Sequence, residues 1–329
     1  MENFQERSGG HIHTHGIVDP SVISTERGIR AVKWSFAELA VTALLQVIVV
    51  WQTGSVALLA DTLHNFGDAA TAIPLLFAFL LSRKKPSERF TYGLGRVEDI
   101  AGVFIVLMIL ISALVIGYVS IDRLVHPQNV SMLWAVAAAS VIGFTGNEAV
   151  ARLCIRVGNE IGSAALVADG QHARVDGITS LAVLVGAIGV YLGFPFADPL
   201  IGLVITFLIL IIVWDSAKTV FTRLLDGVDP EIPHEIRHAA DYVGGVKAVT
   251  GVRVRWIGHR LYAEVNITVD AGISVVEGHR IAKEYRHELL HHLKYLSDAT
   301  IHVDPATESG PDYHAIPEQR HEGLPPHSH

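Results

Sequence analysis

Two nine-residue stretches, ADTLHNFGD at 60–68 and ADGQHARVD at 168–176, share the pattern Ala-Asp-x-x-His-x-x-x-Asp inside otherwise apolar segments. At about 100° per residue, the Asp, His and Asp of each copy fall within roughly a 60° arc of one helix face. Each copy therefore offers half of a polar site. An ionisable group at membrane depth costs about 2.5–3.5 kcal/mol on insertion scales, so such groups face a bundle interior and do something there. Brought together, the two faces supply His64, Asp68, His172 and Asp176. Two imidazoles and two carboxylates form a tetrahedral ligand set suited to zinc or a similar divalent ion. A single histidine in one helix is more simply a satisfied core residue. A duplicated set of four ionisable groups is too costly to bury without something to share. Asp61 and Asp169, three residues before each histidine, either fix its tautomer and orientation from behind or sit as hydrated acids nearer the polar interface.

The elements that must position these residues are transmembrane helices. Half of the 329 residues are hydrophobic and only 18% are charged, and a mean hydropathy of +0.39 is too apolar for an ordinary soluble domain. Apolar runs able to cross about 30 Å of hydrocarbon lie near 32–52, 56–81, 98–121, 131–154, 164–192 and 197–220, which predicts six spans with the two motifs in spans two and five. Lysine and arginine cluster in the connections before span one and after spans two, four and six, whereas the alternate connections hold only Arg123. Both termini are thereby expected in the cytoplasm. No charged-then-apolar segment ending in a cleavage site opens the chain, so no removable signal peptide is expected. One cysteine, Cys154, excludes an internal disulfide or thiolate cluster and disfavours Cu(I) chemistry. There is no basic patch for nucleic acid.

From about Asp226 the composition becomes soluble. Ile236–Val243 reads as a helix, Val249–Ile257 and Leu261–Val269 alternate like strands, Val275–Leu293 has helical spacing, and Ala299–Val303 reads as a last short strand. This α-β-β-α-β order predicts a small α+β domain with an antiparallel sheet packed on helices. The expected divisions are a histidine-bearing tail at 1–30, a six-helix domain at 31–222, the α+β domain at 226–305 and a Pro-, Glu- and His-rich tail at 306–329. Histidines 11, 13 and 15 in the first tail could capture metal loosely or be incidental.

With six spans, paired His-x-x-x-Asp motifs, YGLGRVED at 92–99 and SAALVADGQHARVDGITS at 163–180, the chain resembles the cation diffusion facilitator family over roughly residues 30–305. The resemblance implies a homodimeric exporter that exchanges cytosolic divalent metal for protons by alternating access. It also implies a cytoplasmic domain of ferredoxin-like, metallochaperone-like fold. His64, Asp68, His172 and Asp176 match the family's transport ligands, and a histidine at 64 favours Zn²⁺ over broader selectivity, with Co²⁺ or Cd²⁺ next. His279, His302 and Asp304 match one cytoplasmic metal site, short of a fourth ligand. Thr250 and Asn266 stand where members with a two-ion cluster carry further histidines. Arg96 and Asp226 match a charge pair joining the two domains. His259 reads as a turn residue, and the KKPSERFTYGLG loop at 84–95 has no histidine for a further metal site.

Two other function classes fit less well. A membrane zinc hydrolase keeps an open coordination position beside a general base, and no such motif is present. A sensor with an inert anchor needs no duplicated buried site.

Overall fold

The computed structural model describes residues 20–53, 72–126, 133–194 and 196–307. Among the described residues six helices precede the soluble region: α1 (Pro20–Thr53), α2 (described over Ala72–Ser82), α3 (Arg96–Val125), α4 (Leu133–Ile161), α5 (Ala164–Tyr191) and α6 (Ala197–Leu224). Within them, Ser24–Ile48, Arg96–Val125, Ala164–Tyr191 and Pro199–Leu224 are long and apolar enough to cross a bilayer. Their outward residues confirm the solvent they are built for. Leu107, Ile111 and Leu114 on α3, and Phe207 and Trp214 on α6, are exposed, which suits hydrocarbon and not water.

α4 and α5 pack together, α1 lies against α4, and α3 pairs with α6 while also touching α5. Small residues permit the closest of these approaches. A Cβ on Gly170 of α5 would stand 2.9 Å from the Ile155 backbone nitrogen and 3.1 Å from the Ala151 carbonyl oxygen. Bare glycine therefore seats α5 directly on the α4 backbone. Ser163 caps α5, its hydroxyl accepting from the Leu166 N–H at 3.1 Å, which fixes where the second motif begins its helical phase.

α1 is longer than its apolar core predicts. It is described from Pro20, so residues 20–30 are helical. The reason is a polar extension with partners of its own: Arg27 pairs with Glu160 of α4 at 2.6 Å, and Thr25 and Ile29 are buried.

Two residues beyond α6, Asp226 is left-handed (φ 61°), and its neighbour Gly227 donates to the Thr222 carbonyl at 2.7 Å. The soluble domain follows as α7 (Glu231–Ala239), a 3₁₀ turn (Ala240–Tyr242), β1 (Ala248–Ile257), β2 (Arg260–Val269), α8 (Val275–His292) and β3 (Leu296–Pro305). The predicted element order holds, but the sheet is mixed. β1 and β2 form an antiparallel hairpin, whereas β2 and β3 run parallel. The cause is topological: α8 carries the chain back along the sheet before β3 starts, and a helical crossover between neighbouring strands makes them parallel. β3 spans ten residues, twice the expected length. The core joins Trp256, Leu261, Val265 and Ile267 of the sheet to Ile236, Tyr285 and Leu289 of the helices.

Candidate metal site and domain junction

His172 and Asp176 sit one turn apart on α5 and are both buried, with His172 Nδ1 3.8 Å from Asp176 Oδ2. Four-residue spacing thus places both side chains on one face of α5. Asp169 is buried behind it, where its carboxylate accepts from the Cys154 thiol of α4 at 3.6 Å. Arg174 projects from a different side of α5 and meets Glu148 of α4 at 3.3 Å, itself paired with Arg152 at 2.8 Å. The helix therefore separates an acid-and-imidazole face from an arginine face. Two nitrogen or oxygen donors on one buried face suit a divalent transition metal, with the rest of the shell supplied from elsewhere. Asp61, His64 and Asp68, the first copy, lie outside the described residues.

In the soluble domain, His302 and Asp304 alternate to one face of β3, and His302 Nε2 approaches Asp304 Oδ1 at 2.9 Å. Asp304 and His279, at the start of α8, line one hollow of about 350 Å³. Among the described residues no three histidine, cysteine or acid side chains converge closely enough to hold an ion. His302 and Asp304 thus meet, and exposed His279 stands apart. Thr250 is the extra residue of a bulge between Val249 and Gly251, where it donates to the Asn266 carbonyl at 3.4 Å.

A third polar cluster joins the domains. Arg96 at the start of α3 pairs with Asp226, as expected, and lies 3.8 Å from Asp99. Arg223 of α6 stacks 4.2 Å over the Trp256 ring and donates to the Gly162 carbonyl. Also buried is His259 in the β1–β2 turn. Its Nδ1 is 2.7 Å from Glu98 Oε2, its Nε2 is 3.1 Å from Thr25 Oγ1, and the Gly258 N–H donates to Asp99 at 3.1 Å. Sequence reading placed His259 correctly in a turn and missed its burial. The available signal was the apolar Trp256-Ile257 pair immediately before it, which is unusual for a solvated hairpin end.

Residues 32–225 match the cation efflux transmembrane domain family and residues 228–306 the cytoplasmic domain of cation efflux proteins. A probable cation efflux system protein of Mycobacterium tuberculosis is 52% identical over 297 residues, covering 89% of this chain and 90% of its own. Metal tolerance protein C1 of Arabidopsis thaliana is 30% identical over 272 residues, 77% of this chain and 57% of its own. A solved MamM C-terminal domain aligns with 23% of this chain and 94% of its own at 23% identity, with a TM-score of 0.22. Two matched domains in the expected order and a near-full-length relative place the chain in the cation efflux family, the cation diffusion facilitators.

Proposed function

We propose that this protein exports zinc in exchange for protons, with cobalt and cadmium as poorer substrates, and that it works as a homodimer in a bacterial inner membrane with both termini in the cytoplasm. The observation behind the reading is the buried His172–Asp176 face of α5, together with its sequence twin His64–Asp68. Imidazole nitrogen with carboxylate oxygen suits zinc better than magnesium or calcium, which prefer all-oxygen shells. Coupling follows from the ligands themselves. A histidine must be neutral to bind metal, and free imidazole has a reference pKa near 6.5, so protons and the ion compete for the same nitrogens. An inward-open site then binds metal as protons leave, and outward exposure lets protons displace it. The sequence offers no nucleotide-binding motif that could supply the energy otherwise. Asp61 and Asp169 would orient the two histidines, and His279, His302 and Asp304 would hold a regulatory zinc once His279 swings towards β3.

The test is zinc flux in reconstituted vesicles with an imposed pH gradient. Zinc movement against its own gradient should stop when the pH gradient and membrane potential are collapsed. Uphill movement that persists would exclude proton exchange.

A further inference from the structure

The β1–β2 turn is inserted among the ends of three membrane helices. His259 bonds to Glu98 of α3 and Thr25 of α1, and its ring lies 5.8 Å from that of Phe79 in α2. The neighbouring Arg260 donates to the Ser82 carbonyl at the end of α2 at 3.4 Å. Gly258 adopts a φ of +62°, and a Cβ there would stand 2.8 Å from both Glu98 Oε2 and the Gly95 carbonyl oxygen. Glycine is therefore what lets the turn enter.

Such a contact is a poor adhesive. Glu98 and His259 are 1% and 2% exposed, and a buried ionisable pair gains little stability over apolar residues of the same volume. It is also incompletely satisfied, since Glu98 Oε1 is buried without a hydrogen-bond partner among the described residues. A buried carboxylate oxygen without a bond is costly, which favours any second arrangement that bonds it fully. A directional joint that is specific yet under-satisfied suits an element that switches between two packings.

We propose that His259 is a positioning residue of the transport cycle: through Glu98 and Thr25 it ties the soluble domain to α3 and α1, so that movement of the domain and opening of the membrane site occur together. It touches no transported ion. This rests on the transport reading above, and Asp176→Ala separates the two, because that variant tests the ion site and leaves the joint intact.

The experiment measures zinc transport against zinc concentration for full-length protein in vesicles. His259→Ala should lower the maximal rate about ten-fold, within the range expected of coupling residues, while the half-saturating zinc concentration and the binding stoichiometry stay as in the wild type. His259→Gln, which keeps an N–H for Glu98, should retain a larger part of the rate. Adding Glu98→Gln to His259→Ala should cause no further loss, because both remove one contact. Thr25→Val, a milder cut that leaves the Glu98 contact in place, should lower the rate about three-fold. A wild-type rate in His259→Ala, multiplicative losses in the double variant, or an unchanged rate in Thr25→Val would overturn the proposal. So would a rate loss matched by an equal rise in half-saturating zinc, which would mean damage to the ion site.

Discussion

Gly258 shows how much one residue decides. Its left-handed φ of +62° and the 2.8 Å approach of a would-be Cβ to the Gly95 carbonyl predict that Gly258→Ala destabilises the protein by about 1–3 kcal/mol. Thermal unfolding of the purified variant checks this; a melting temperature equal to the wild type would show that the turn has room. At this scale the sequence was informative where chemistry repeats. His172 and Asp176 could be picked out because four-residue spacing puts them on one helix face, and the structure brings them to 3.8 Å. His259 could not be picked out, because its partners Glu98 and Thr25 are 161 and 234 positions away in the chain. Burial made by distant segments leaves no local spacing to read.

Elements were legible in type and less so in extent and direction. Apolar periodicity identified the helices and the hairpin. The polar start of α1 was missed because its stability comes from Arg27–Glu160 and from contact with the soluble domain, not from an apolar run. The parallel β2–β3 pairing was missed because alternation defines a strand without giving its direction. Packing at this level gives a pH prediction. The Tyr285 hydroxyl of α8 is buried and donates to the Ile236 carbonyl of α7, and burial pushes its pKa up from 10.0 to about 12. A raised folded-state value means the contribution is fully present below pH 10 and is lost as pH rises towards 12. Melting temperature should therefore fall across that window, and Tyr285→Phe should lose about 1–3 kcal/mol at neutral pH, for the orphaned carbonyl, while flattening the alkaline fall. A fall of equal steepness in Tyr285→Phe would assign it to other groups. Between α4 and α5 the tight seat predicts that Gly170→Val costs about 1–3 kcal/mol through overpacking and lowers zinc transport by displacing His172; unaltered unfolding and transport would contradict it.

The whole molecule links a membrane bundle to a soluble domain through polar contacts at the ends of α1, α2, α3 and α6. Arg96–Asp226 belongs to this set, but with side chains 35% and 51% exposed it adds little stability by itself. Its expected role is alignment. Asp226→Arg should slow zinc transport by repelling Arg96, and the swapped pair Arg96→Asp with Asp226→Arg should recover much of the rate. Failure of the swap to recover any activity would assign the two residues separate roles. Transport as proposed depends on one site, the His–Asp face of α5 with its sequence twin at His64 and Asp68. Zinc uptake into vesicles by the wild type, Asp68→Ala and Asp176→Ala, under one imposed pH gradient, tests that claim most directly. Loss of zinc uptake to the level of empty vesicles in both variants, with each protein still folded, is the predicted result; uptake at the wild-type rate in Asp176→Ala would contradict it.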